Sequence, residues 1–134
     1  MAIQLNPNER HVLEVRGTHL KSFINVHQGT IYLTTERFIF ARPEKGIRTW
    51  APMLEGFVDG VDVAFQFPYN MFESIKKGRH GFASKLTIRL LSGDTFDIQV
   101  TNQDTWLSML RDMITNKSGG HVVDDGMGGI YVMR

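Results

Sequence analysis

Four basic residues in the second half of the chain have the charge and spacing needed to bind phosphate groups. They bracket a turn that contains Gly78 and Gly81: Lys76, Lys77, Arg79 and Lys85. Each cation held close to an anionic leaflet contributes about 1 kcal/mol of binding free energy. The sequence therefore predicts an anion- or lipid-binding site at this turn. A solvated hairpin without a ligand is the alternative interpretation, because surface turns are commonly polar and charged.

Nucleic acid suits this turn less well than a lipid headgroup does. Proteins that bind single strands place aromatic side chains among their cations, so that the bases can stack on them. Phe82 is the only Phe, Tyr or Trp in the turn. The partner we expect is therefore an anionic phospholipid membrane surface or a protein, and nucleic acid is not expected.

A second candidate contact surface lies in the segment 43–62. It mixes the cations Lys45 and Arg48 with large apolar side chains: Trp50, Met53, Leu54 and Phe57. Large apolar residues in an exposed loop mark an interface, and Trp beside Arg suits the boundary between membrane and water. The alternative is that these side chains fold back and cover the sheet.

The sequence offers little for catalysis or metal binding. Histidines recur at intervals of eight residues: His11, His19 and His27. Along an extended strand that interval separates the rings by roughly 27 Å, whereas zinc needs converging ligands. His121 with Asp124 and Asp125 is a slightly better metal candidate but lacks a fourth partner. There is no nucleophile elbow, no HExxH motif and no cysteine. We expect a non-catalytic protein without a cofactor or a metal.

Composition limits the class of protein further. The chain has 134 residues, 42% of them hydrophobic and 22% charged, with a net charge of +1. This length suits one domain, and so small a net charge attracts no anionic partner at long range. No apolar run approaches the ~20 residues of a membrane-spanning helix, and the N-terminus lacks a secretory signal. The expected location is the cytoplasm, with peripheral membrane association.

The elements that position these residues are clearest near the end of the chain. Apolar and polar residues alternate over 85–90 and again over 95–100, with Gly93 between them, which predicts a hairpin with one buried face. Apolar residues then recur at helical spacing, from Trp106 to Ile114, so a helix is expected over 103–117. Thr101 or Asn102 can cap its start, and Gly119 ends it.

Weaker patterns predict five earlier strands. They lie over 20–26, 30–34, 37–42, 63–67 and 71–77. Seven short strands followed by one amphipathic helix predict a mainly β (α+β) fold, in which the helix covers one end of a bent antiparallel sheet or barrel.

The stretch 26–40 resembles the signature of GRAM domains, which share the pleckstrin-homology (PH) fold. Gly29 precedes a strand that ends in Tyr-Leu-Thr, and Arg37 opens a second strand that ends in Phe40. The stretch 65–75 is similar to the family's next landmark, an apolar strand closed by proline. The resemblance implies a PH-like domain over 1–117 that binds a lipid headgroup or a protein, with 43–62 as an insertion.

The glycine-rich tail, 118–134, carries an apolar run with strong β propensity: Ile130, Tyr131 and Val132. We expect this run to dock on an open sheet edge, in its own chain or in a neighbour's. A disordered terminus is the alternative. The tail also supports a second hypothesis of function, a self-assembling or partner-docking protein that adds its tail as a strand and has no lipid role.

Overall fold

The computed structural model describes residues 2–22, 24–44 and 52–134. Eleven strands and one α-helix form in these residues. The strands are β1 (Ala2–Gln4), β2 (His11–Leu20), β3 (Val26–Thr34), β4 (Arg37–Pro43), β5 (Phe57–Asp59), β6 (Val61–Pro68), β7 (Phe72–His80), β8 (Ala83–Leu90), β9 (Thr95–Gln99), β10 (His121–Asp124) and β11 (Ile130–Met133). The helix α1 spans Gln103–Ser118, and a short 3-10 turn spans Tyr69–Met71.

Nine of these strands form one antiparallel sheet in the order β10-β11-β7-β8-β9-β2-β3-β4-β6. Two consecutive meanders, β2-β3-β4-β6 and β7-β8-β9, meet where Thr18 pairs with Gln99 and His19 with Ile98. The prediction of a mainly β fold with a C-terminal helix is confirmed. The predicted number of seven strands is too small: β1, β2, β5, β10 and β11 are not among the seven, and one predicted strand does not form.

The strand predicted over 20–26 is wrong. Ser22 and Asn25 form a turn there: the Ser22 amide donates to the Asn25 carbonyl at 3.1 Å, and the Asn25 amide donates to Ser22 Oγ at 3.0 Å. The turn joins β2 to β3, so that Leu20 pairs with Val26 and His19 with His27.

Helix α1 packs its apolar stripe on the main core, as its spacing predicts. Trp106 is 3% exposed and Leu110 1%, and both lie in one cluster with inward-facing residues of β8 and β9. Gly119 ends the helix with a φ of 71°, a left-handed conformation that glycine adopts without strain. Thr101 does not cap the start: Asn102 occupies that position, and its side chain makes no capping hydrogen bond.

A second, smaller core lies on the opposite face of β3 and β4. Tyr32 and Ile39 alternate with residues of the main core along these strands and point the other way. The ribbon of β1 and β5 covers them with Ile3 and Val58, both buried. Part of the 43–62 insertion therefore completes the fold and is not a free loop.

The tail adds a hairpin to the sheet of its own chain. Strand β10 pairs with β11 along its length, and β11 pairs with the edge of β7 through Ile130 opposite Ile75 and Tyr131 opposite Ser74. Asp125 holds the connection, because its Oδ1 accepts from the amides of Met127 at 2.7 Å and Gly129 at 2.9 Å.

Candidate functional site

The hairpin formed by β7 and β8, residues 72–90, concentrates positive charge. The sequence has no Asp or Glu from Ser74 to Gly93, and five Lys or Arg residues fall in that interval. Any carboxylate that neutralises this hairpin must therefore come from Glu73 at its start or from another element. The positions of these carboxylates therefore determine which of the predicted cations can bind a ligand.

The four predicted cations lie on two faces of the hairpin. Lys77 pairs with Leu86 and Arg79 with Ser84, on the face that buries Ile75. Lys76, opposite Thr87, and Lys85, opposite Gly78, lie on the other face, because neighbouring strand residues alternate. The structure places all four on one hairpin, but it does not gather them on one surface.

Two of the four are ion-paired to carboxylates from other elements. Lys85 Nζ lies 3.1 Å from Asp97 Oδ2 on β9, and Asp97 also accepts from Thr87 at 2.6 Å. Lys77 pairs with Asp104 in the first turn of α1, and the Asp104 side chain is largely exposed. Exposed ion pairs contribute only about 0–1 kcal/mol, so a phosphate can replace Asp104 as the partner of Lys77.

Lys76 and Arg79 are exposed, and within the part of the chain that the structure describes neither contacts a carboxylate. Arg89, further along β8, pairs with Glu73 at 3.0 Å. Lys76 and Arg79 are thus the two cations of the hairpin that an anion can approach without displacing a neighbour.

The apolar candidates of the insertion separate into buried and exposed residues. Met53 is 5% exposed and belongs to the second core, and its amide donates to Glu14 Oε1 at 3.0 Å, so its prediction as a surface contact is wrong. Leu54 and Phe57 are exposed, at 69% and 45%. Trp50 lies outside the described residues.

The tail candidates follow the alternation of strand β11. Ile130 is buried at the edge of β7, Val132 is half-buried and Tyr131 is exposed. Arg134 follows the strand and donates from Nη2 to the carbonyls of Asn70 and Phe72, both at 2.9 Å. The apolar run thus has one side against the domain and one side in solvent.

Two of the spaced histidines meet, because the chain folds back between them. The rings of His19 and His27 are 6.2 Å apart, and His19 also contacts Phe65 at 5.0 Å. Burial, together with His27, Lys21 and Arg42 nearby, lowers the pKa of His19 below its usual value. Among the described residues, no group of three His, Asp or Glu side chains converges in a way that could hold a metal ion.

One cleft was not predicted from the sequence. It has a volume of about 630 Å³ and lies between the β2–β3 hairpin, the start of β8 and the start of α1. Its lining includes the polar side chains of Arg16, Thr18, Gln28 and Gln99. These residues come from distant parts of the chain, so no local pattern could have indicated them.

No helix within residues 2–22, 24–44 and 52–134 is long and apolar enough to cross a membrane. The described helix α1 has 16 residues, and four of them are buried in the core.

No protein-family model and no curated protein matches the chain. Solved structures do match. The linker-DH/PH domains of p115-RhoGEF have a TM-score of 0.56 at 7% identity, over 83% of this chain and 30% of that chain. A mutant of the p115-RhoGEF DH/PH domains gives 0.56 at 6% identity, over 80% and 31%.

A third match is the C-terminal domain of an unknown protein from Leishmania infantum. Its TM-score is 0.56 at 13% identity, over 80% of this chain and 85% of that chain. This chain spans less than a third of the p115-RhoGEF chains. At such low identity the similarity shows the fold alone, and the predicted PH-like fold is confirmed.

Proposed function

We propose that this chain is a non-catalytic binding module that attaches to anionic membrane lipid through the β7–β8 hairpin. The observation that carries the proposal is the pair of exposed cations, Lys76 and Arg79, on a hairpin whose strands lack carboxylates between Ser74 and Gly93. Because the net charge of the protein is only +1, these two cations produce a positive electric field near the hairpin but no long-range field around the whole protein. Binding through such a field is short-ranged and sensitive to salt.

We also propose that the module is of the GRAM type. The motif residues lie together in the β3–β4 hairpin and maintain its geometry. A Cβ on Gly29 would come within 2.4 Å of the Ala41 carbonyl oxygen, and the Arg37 guanidinium holds Glu9 at 2.8 Å. These contacts explain why the motif specifies a fold. Because the motif residues contact each other and Glu9, a ligand would bind to other surfaces of the domain.

Charge reversal tests the lipid function. The variant Lys76→Glu with Arg79→Glu should lose about 30-fold or more in affinity for phosphatidylserine-containing vesicles at low salt. Removal of two cations, at about 1 kcal/mol each, accounts for this loss, since 1.4 kcal/mol corresponds to a factor of ten. Co-sedimentation with vesicles is the measurement.

The matched control is Arg10→Glu with Lys117→Glu. Both residues are exposed, and both variants change the net charge from +1 to −3, since each substitution removes one positive charge and adds one negative charge. The control should bind more tightly than the hairpin variant. Equal loss in both variants would mean that only net charge matters, and wild-type protein that ignores anionic vesicles at low salt would refute the lipid function.

Self-assembly through the tail is the second candidate function. The observation in its favour is that β11 meets β7 through only two paired positions, while Gly119 offers a hinge before the hairpin. Exchange of the hairpin between two chains would reproduce the same contacts in a dimer. Light scattering over a range of concentrations tests this, and truncation after Lys117 should abolish any dimer that forms in this way.

A further inference from the structure

Phe82 occupies the tip of the β7–β8 hairpin and is fully exposed. Its relative exposure is 102%, against 90% for Ile24 and 85% for Met127, the other most exposed large apolar side chains of the described residues. It lies in a two-residue connection between the paired residues His80 and Ala83, in which Gly81 has a φ of 62°. A tight turn of this kind holds the aromatic ring away from the fold.

The surroundings of Phe82 in the hairpin are cationic. Arg79 precedes it by three residues and Lys85 follows it by three. At about 3.3 Å per strand residue, the backbone of Arg79 and Lys85 lies within roughly 10 Å of the tip. Lys76 lies further back on the same hairpin, at a strand distance of roughly 20 Å from Phe82. The hairpin thus has an apolar tip followed by successive cations.

We propose that Phe82 inserts into the interfacial region of an anionic bilayer while Arg79, the exposed cation nearest to it that has no carboxylate partner among the described residues, contacts lipid phosphates. This inference rests on the proposed lipid function and adds an apolar anchor to it. Apolar groups of interfacial proteins penetrate about 5–10 Å below the headgroups, which matches the separation between the tip and Arg79. Insertion would bury a ring that the fold leaves entirely in water.

A bilayer fits this tip better than the other anionic partners do. A protein pocket for Phe82 would be surrounded by a polar rim and further contacts, whereas the tip is convex and carries a single large apolar side chain. Single-stranded nucleic acid stacks on several aromatic residues in succession. The only Phe, Tyr or Trp residues of the hairpin 72–90 are Phe72 and Phe82, and Phe72 is buried in the core.

Site-specific fluorescence tests the insertion. The chain has no cysteine, so Phe82→Cys creates a single attachment site for the environment-sensitive dye NBD. Full-length protein labelled at this site is mixed with vesicles of phosphatidylcholine, with and without phosphatidylserine. We expect a rise in emission of two-fold or more with a blue shift, on anionic vesicles only, and quenching by nitroxide lipids. Matched controls carry the dye at Ile24→Cys and at Met127→Cys.

Affinity provides a second measurement without the dye. Phe82→Ser should weaken binding to anionic vesicles about 30-fold, which corresponds to ~2 kcal/mol for the transfer of one phenyl ring. Ile24→Ser should change it less than three-fold. The folded state should be unaffected, because Phe82 makes no core contact, and unchanged thermal unfolding checks this.

The outcomes separate the insertion from the lipid function. If the wild-type protein binds anionic vesicles and the Lys76→Glu, Arg79→Glu variant does not, the lipid function stands. The insertion is then refuted if the dye at position 82 keeps its aqueous emission on anionic vesicles, or if the blue shift appears instead with the dye at position 24. If no form of the protein binds vesicles, both proposals fail. Capture of Phe82 by a protein would leave vesicle binding unchanged in Phe82→Ser and would also refute the insertion.

Discussion

Replacement of Glu9 by glutamine should destabilise the protein strongly at neutral pH and much less in acid. The Glu9 side chain is completely buried, and its oxygens accept from Arg37 Nε at 2.8 Å, Arg37 Nη2 at 3.1 Å and the Asn6 amide at 3.0 Å, with Thr34 Oγ1 as a further donor. Arg37 also donates to the Gln4 carbonyl at 3.2 Å and to Gln66. The network therefore connects β1, the β3–β4 turn and β6.

The expected cost follows from the geometry. Loss of one member of a buried, hydrogen-bonded ion pair costs about 3–5 kcal/mol, because the other charge is left without its partner. The Arg37 side chain keeps 22% of its surface exposed, so water compensates in part. Glutamine also retains some of the hydrogen bonds. We therefore expect about 2–3 kcal/mol for Glu9→Gln at pH 7, measured by urea denaturation.

The dependence on pH tests the electrostatic part of this argument. Burial opposes ionisation of Glu9, but the hydrogen bonds from Arg37, Thr34 and Asn6 outweigh it and lower its pKa in the folded protein. A carboxyl group with a lowered pKa stabilises the fold above its unfolded pKa, about 4.3, and loses that contribution as the pH falls through the folded value. The stabilities of wild type and Glu9→Gln should therefore converge in acid. A difference that is the same at pH 7 and at pH 3 would show that shape, and not charge, explains the effect.

Two further predictions concern the two cores. Trp106→Ala should cost about 3–5 kcal/mol, because its ring is buried among the apolar residues of β8 and β9; a cost under about 1 kcal/mol in chemical denaturation would mean that the helix does not pack as described. Met53→Ala should cost about 2–3 kcal/mol and the neighbouring Leu54→Ala under about 0.5, because only Met53 is buried; equal costs would contradict a core formed by the insertion.

The elements that could be predicted from sequence are those with a local signal. Strands β8 and β9 alternate strictly, and α1 repeats its apolar residues at helical spacing, so each pattern is contained in a few residues. Strand β2 is not among the predicted strands: apolar and polar residues alternate only from Leu13 to Arg16, and its pairing is irregular between His11 and Leu13. Strands β1 and β5 have three residues each, too few for a periodic pattern, and they pair across more than fifty residues of chain, Ala2 with Asp59.

The candidate site could be predicted only in part, for a related reason. The clustering of cations around one turn is visible in the sequence. The sequence does not show which of these cations are free to bind a ligand, because the carboxylates that pair with Lys85 and Lys77, Asp97 and Asp104, belong to other elements. A local count of charge therefore overestimates a binding site whenever the neutralising carboxylates come from elsewhere in the fold.

The motif over residues 26–40 could predict the fold of this chain but not its ligand, because its side chains are used inside the domain. In the β3–β4 hairpin, Gly29 permits close approach of β4, Thr34 and Arg37 bind Glu9, and Phe38 and Phe40 fill the main core. Every one of these side chains is used inside the domain. A ligand contacts what the fold leaves unused, and on the β7–β8 hairpin that is a phenyl ring and two cations. Substitutions there should change binding without changing stability, and substitutions in the motif should do the reverse.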